Sequence, residues 1–160
     1  MKNLWVVDGE DMNSFYMKKA LERAMECEKA GDVPVGAVIV RNGEIIAEGR
    51  NRREERGDPT AHAEVEAIRV AAEHLGSWHL DDCELFVTLE PCPMCAGAII
   101  NSRIKRVYFG AFEPKSGSCS CDSVVNLFDL PYNHTPEVYG GICEKECAEI
   151  MTKFFRDKRS

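Results

Sequence analysis

The amino-acid sequence predicts an α/β fold: one layered sheet flanked by helices, with right-handed crossovers between parallel strands. Three observations predict it. Short apolar runs at 35–40, 84–89 and 105–109 alternate with helical patterns at 61–75 and 93–103. Asn42-Gly43 separates two strand-like runs, and both residues tolerate the positive φ of a tight hairpin turn. The 160 residues carry no internal repeat, low-complexity segment or second-domain linker, so residues 1–160 read as one domain, long enough to bury a core.

The elements follow in order. Residues 1–10 contain only a brief apolar patch, Leu4 to Val7, followed by acids; they read as an N-terminal arm and not as an export signal. Asp11 to Ala30 is a helix stopped by Gly31, with Met12, Phe15, Tyr16, Leu21, Ala24 and Met25 on a rough common face. Val35–Val40 and Glu44–Gly49 form the hairpin. Arg50 to Pro59, with its alternating charges, reads as a solvated loop. Thr60 is placed to cap a helix from Ala61 to Leu75. Glu84–Leu89 is a strand, and Pro93 opens a helix that runs to Arg103. Lys105–Phe109 is a strand closed by Gly110. A Ser/Gly/Cys-rich loop, 111–123, precedes a short helix at 124–128 and a short strand within 136–142. Cys143 to Phe155 is the last helix, within a C-terminal segment 143–159 whose end is basic.

Composition excludes several classes. No apolar run approaches the ~20 residues that span a membrane. Eight cysteines in a chain of this size without an export signal point to a reducing cytoplasm, and to metal or catalytic use of some thiols. The net charge of −7 argues against general coating of nucleic acid. The last ten residues hold Lys153, Arg156, Lys158 and Arg159 against Asp157, a local +3 that leaves −10 on the rest. A basic tail on an acidic body suits contact with one defined stretch of polyanion.

The chemistry concentrates between Asp58 and Cys95. His62, Cys92 and Cys95 are three ligands of the type that zinc accepts, and three leave a tetrahedral position open for water. Cys92 and Cys95 are three apart, so both thiols can face one point from one helical turn. Helix N-termini favour the thiolate form, and His62 falls in the first turn of its own predicted helix. Glu64 is then free to move protons for the water. H-x-E…P-C-x-x-C is a known signature of zinc deaminases acting on nucleobases. A redox pair is the other reading of a bare C-x-x-C, and a purely structural zinc would recruit Cys83 or His79 as a fourth ligand. Cys119, Cys121, Cys143 and Cys147 read as core or loop thiols, with a second metal site as the alternative. Trp5 and Trp78 read as packing residues, and His74 and His79 as surface or helix-end residues.

With these residues in place, the chain resembles the bacterial tRNA-specific adenosine deaminases of the cytidine/deoxycytidylate deaminase superfamily. The resemblance runs from about Met12 to Arg159. It rests on DVPVGAVIV (32–40), Asn51-Arg52, DPTAHAE (58–64), LEPCPMCAGAI (89–99), SRIKRVYFGA (102–111), Asn133-His134 and ECAEIMTKFFRDKR (146–159). The zinc motif specifies the superfamily; the Asn-His pair and the FFR helix single out the tRNA branch. The 117–123 loop, GSCSCDS, departs from that branch's glycine-rich version. The resemblance implies a three-layer α/β/α cytidine-deaminase-like fold with a mixed five-stranded sheet. It implies one zinc ion per subunit, held by His62, Cys92 and Cys95, with Glu64 as proton shuttle. Asn51 is implied to contact the target nucleoside, the Ala63 backbone to line the base pocket, and Val33 and Leu89 to form its walls. Glu113 matches a loop beside the substrate, and Lys115, Asn133, His134, Phe154 and Arg156 match regions that touch the anticodon loop. The family acts as a homodimer that converts the wobble adenosine of an arginine tRNA to inosine. Two rivals remain at this point: a free-base or nucleoside deaminase for guanine or cytosine on the same zinc core, and a non-catalytic RNA-binding subunit, which would have no need of Glu64.

Overall fold

Alternation along three central strands divides the protein into layers. The computed structural model describes residues 6–7, 10–120, 123 and 125–159. Two short strands, β1 (Val6–Val7) and β2 (Glu10–Asp11), pair antiparallel ahead of α1 (Met12–Met25); the rest of the expected arm, Trp5 included, lies outside the described residues. The main elements are then β3 (Gly36–Arg41), β4 (Glu44–Arg50), the single turn α2 (Arg53–Arg56), α3 (Ala63–Leu75), β5 (Cys83–Leu89), α4 (Pro93–Ser102), β6 (Arg106–Ala111), β7 (Glu137–Gly140) and α5 (Glu144–Arg159). Five strands form one mixed sheet in the order β4-β3-β5-β6-β7. β3 is antiparallel to β4 and β5, whereas β5, β6 and β7 run parallel.

Ala37 and Ile39 of β3, Leu85 and Val87 of β5, and Val107 and Phe109 of β6 face α3 and α4, where Ala63, Ala67, Ala71, Ala96 and Ile99 complete one buried core. Their neighbours Val38, Val40, Phe86 and Tyr108 face α1 and α5, against Tyr16, Met17, Ala20 and Cys147. This is the period-two pattern of a sheet buried on both faces. The outcome is the three-layer α/β/α fold with a mixed five-stranded sheet.

Several boundaries differ from the sequence expectation. Asn42 and Gly43 do take positive φ, 52° and 79°, at the hairpin. Thr60 caps no helix: its amide and hydroxyl both donate to Asp58, at 2.8 Å. Helix α3 therefore starts at Ala63, and His62 is its extended N-cap residue. The charged loop contains α2, whose first amides, from Glu54 and Glu55, donate to the buried Asp32 carboxylate. Gly110 does not close β6; the strand continues to Ala111. Glycine is needed at 110 because a Cβ there would strike the Cys147 sulfur of α5. The expected helix at 124–128 is a 3-10 turn, Leu127–Asp129, capped by the Asn126 side chain. Helix α5 runs on past Phe155 to Arg159, so the whole C-terminal segment expected at 143–159, with its basic end, is helical from Glu144. Trp78 is 57% exposed and stacks on His79, so it is not a core residue.

Candidate metal centre and substrate pocket

The strand register brings distant segments to one edge of the sheet. Gly36 at the start of β3 pairs with Arg50 at the end of β4, and Ala37 pairs with Val87 near the end of β5. Leu89 pairs with Ala111 at the end of β6. Residues 33–35, 51–53, 89–92 and 111–113 thus leave the sheet side by side, at its open end.

Two helix N-termini meet there. His62 caps α3, and Cys92 caps α4 with Pro93 as its first residue. Neither side chain is spent on its own helix. The His62 Nδ1 atom lies 3.6 Å from Cys92 Sγ and 3.5 Å from Cys95 Sγ. A tetrahedral ion with bonds of about 2.3 Å to sulfur and about 2.05 Å to nitrogen sets those ligands about 3.6 Å apart. The three ligand atoms therefore fit zinc, and they are the one His/Cys/Asp/Glu cluster of this kind among the described residues. Cys119 and Cys147 lie in the two separate cores, on opposite faces of the sheet, Cys143 precedes α5 with φ 54°, and Cys121 is outside the described residues.

The site's protons are displaced from their ordinary positions. The hydrogen bond donated by Cys95, then the one donated by His62, holds the Cys92 thiol down at about 4. Cys95, donating to Cys92 and deeply buried, is pushed up. The Cys92 contact raises His62. Glu64, in the first turn of α3 and 4% exposed, is pushed up to about 7 by burial.

A pocket of about 230 Å³ opens over this floor. Its lining includes Val33, Asn51, His62, Ala63, Glu64, Leu89, Cys92 and Glu113, so eight of the residues singled out from the sequence meet here. Asn51 Nδ2 donates to the Val33 carbonyl, and its Oδ1 accepts from the Arg53 amide. One Nδ2 hydrogen remains for a ligand. Arg52 and Arg56 pair with the buried Glu66, which steadies the segment that carries Asn51.

Other expected residues are elsewhere. Lys115 is exposed, in the turn after Glu113. Phe154 lies in a separate groove between α1 and α5, and it is Phe155 that lines the site, with Met151. Arg156 is exposed beside Asp157. Asn133 is exposed, and the His134 ring contacts the Ile104 carbonyl at 2.6 Å. Ile104 precedes β6, so within one chain this pair sits at the opposite end of the sheet, a strand length of roughly 16 Å away. Arg53, Ser116, Phe155 and Glu90 were missed. Arg53 falls in the run whose alternating charges present a solvated loop. Glu90, 3% exposed, was hidden in the same LEPC run that supplied Leu89 and Cys92.

Three protein ligands, an open fourth direction and a buried carboxylate beside it are the arrangement of a hydrolytic metalloenzyme. The chain belongs to the family of the cytidine and deoxycytidylate deaminase zinc-binding region, whose model matches residues 10–111. The relatives narrow this further. The tRNA-specific adenosine deaminase of Bacillus subtilis (strain 168) is 48% identical over 147 residues, covering 92% of this chain and 91% of that protein. A solved structure from work on A-to-I editing by tRNA:A34 deaminases at the wobble position superposes with a TM-score of 0.82 at 46% identity, covering 86% of this chain and 99% of that one. The guanine deaminase of Bacillus subtilis is more distant, at 37% identity and a TM-score of 0.59, covering 89% and 92%.

Proposed function

We propose that this chain is a zinc-dependent hydrolase that deaminates adenosine to inosine at the wobble position of a tRNA anticodon. One observation carries it: His62, Cys92 and the buried Glu64 form the floor of a pocket of about 230 Å³, with Cys95 beneath completing the metal-ligand cluster, while Arg53 and Phe155 stand on its wall. That volume is below the roughly 300–1,000 Å³ of drug-sized sites and suits a single flipped base. The neighbouring wall offers a guanidinium for phosphate and a ring for stacking, both of which recognise unpaired RNA.

Bound zinc supplies Lewis-acid activation of a water at this floor. Glu64, whose proton affinity burial pushes up to about 7, takes one proton from the attacking water and delivers it to the ring nitrogen, then takes the second from the new hydroxyl and delivers it to the departing amine. Water is consumed, the C–N bond to the amine breaks, and inosine and ammonia leave. Asn51 orients the nucleoside, Val33 and Leu89 hold the faces of the base, and the Ala63 backbone borders its edge. Glu113 and Lys115 border the strand that leads into the pocket. Arg156 and the basic end of α5 draw the RNA. Asn133 and His134 lie at the far end of the sheet from this chain's own floor, where they would meet RNA bound at the pocket of the second subunit of a homodimer. The substrate of this reading is an arginine tRNA, and the compartment is the cytoplasm. Among the described residues no helix is long and apolar enough to cross a membrane.

The second reading is guanine deamination, favoured by the guanine deaminase relative and by the acidic body. The purified protein should be incubated with an arginine tRNA anticodon stem-loop carrying a wobble adenosine, and separately with adenosine, cytosine and guanine. Inosine in the stem-loop alone supports the tRNA reading. Ammonia from guanine, with no inosine in the RNA, would replace it with the second.

A further inference from the structure

Glu90 is a buried carboxylate outside the reaction chemistry. It follows Leu89 of the pocket wall and precedes Pro91-Cys92 of the metal segment. Its Oε1 accepts from the Glu113 amide at 3.0 Å. Its Oε2 accepts from the Cys119 amide and from the Ser120 hydroxyl, each at 3.0 Å. None of these partners is a cation. Residues 112–120 contain no helix or strand, so few other bonds fix their course. One of them also runs to the metal segment, Ser118 N–H to the Pro91 carbonyl at 2.9 Å; Gly117 N–H to the Glu113 carbonyl at 2.8 Å closes the loop on itself, and Leu127 N–H to the Ser118 carbonyl at 2.8 Å ties it to the segment that follows. Gly117 is drawn so close that a Cβ on it would strike the Glu90 carboxyl and the Glu113 carbonyl alike.

Three donors converge on one side chain, and that selects its chemistry. A carboxylate accepts at both oxygens, whereas an amide of the same shape must turn an NH2 toward one group of donors. Burying a negative charge is costly, and here only hydrogen bonds offset it. The segment so held carries Glu113 and Ser116 to the wall of the pocket.

We infer that Glu90 is a positioning residue: its carboxylate ties the 113–120 loop to the metal-ligand segment and so sets the shape of the pocket mouth that admits the RNA. This rests on the deaminase reading above. Glu90 borders the pocket between Leu89 and Cys92, but its carboxylate is engaged with the 113–120 loop, so its effect falls on substrate entry and not on the chemical step.

Glu90→Gln and Gly117→Ala test it from the two sides of the same contact, alongside wild type. Amide hydrogen exchange should speed by about tenfold or more at Glu113 and Cys119, while the β5–β6 ladder stays protected. KM for the anticodon stem-loop should rise about tenfold with kcat within about threefold, and zinc should remain at about one per chain. Unchanged exchange overturns the inference. So does faster exchange with an unchanged KM, and so does loss of kcat or zinc at constant KM, which would assign Glu90 to the metal segment. If Glu90→Gln does not fold, Gly117→Ala reads the contact with the carboxylate intact. A wild-type protein that fails to edit the stem-loop sinks the tRNA reading alone, because the exchange measurement still decides for or against Glu90.

Discussion

Truncating Phe155 and Phe154 separately should give opposite phenotypes. Consecutive residues of a helix point about 100° apart. On α5 that angle turns Phe155 toward the metal pocket and Phe154 into the groove against α1. Phe155 is 45% exposed and lines the pocket. Stacking of a base on an aromatic ring contributes roughly 1–3 kcal/mol, or about fivefold to a hundredfold in affinity. Phe155→Ala should therefore raise KM for the stem-loop within that range and leave kcat near its wild-type value. The rings of Phe154 and Phe155 also meet edge to face, with centroids 5.2 Å apart, a contact of roughly 0.5–1.5 kcal/mol that either truncation removes. Phe154→Ala loses in addition its packing in the groove, so its melting temperature should fall further than that of Phe155→Ala, by several degrees at about 2–4 °C per kcal/mol. Steady-state kinetics on the stem-loop and thermal melts of both variants are the assay. An equal rise in KM for both, or a rise for Phe154→Ala alone, would refute the placement of α5 over the pocket.

Other outcomes follow from the same geometry. Glu64→Ala should keep zinc, measured by metal analysis, and lose about a hundredfold to ten-thousandfold in inosine formation; loss of metal in that variant would contradict a proton-carrying role. Cys92→Ala should leave two ligands and bind zinc far more weakly, seen as metal lost on dialysis against a mild chelator; retention would point to a different ligand set. Gly110→Ala should cost about 1–3 kcal/mol in stability, because the new methyl meets the Cys147 sulfur, and a denaturant melt unchanged from wild type would show that α5 yields there. Arg53→Ala should reduce the salt dependence of stem-loop binding by about one counterion, whereas an unchanged slope would remove Arg53 from the RNA path.

The sequence by itself picked out the His62, Cys92 and Cys95 cluster and the layered sheet, and the reasons are local. His62, Cys92 and Cys95 are recognisable because few side chains bind zinc and because the spacing within each helix start, His62 to Glu64 and Cys92 to Cys95, is short-range. The strands were legible because burial on both faces makes continuous apolar runs, and Asn42-Gly43 because its backbone conformation is nearly unique to such pairs. The tertiary structure decided what depends on which distant segments meet. Asp58, through its bonds to Thr60, moved the start of α3 and made His62 a cap residue. The buried roles of Asp32, Glu66 and Glu90 were invisible, because an acidic residue in sequence looks solvated until backbone amides or guanidinium groups from other segments are brought to it. The same holds for Phe154 and Phe155, adjacent in the chain and separated only by the angle at which α5 crosses the end of the sheet. Ligand identity is a property of side-chain chemistry; the wall of the pocket is a property of the register that sets the ends of β3, β4, β5 and β6 side by side.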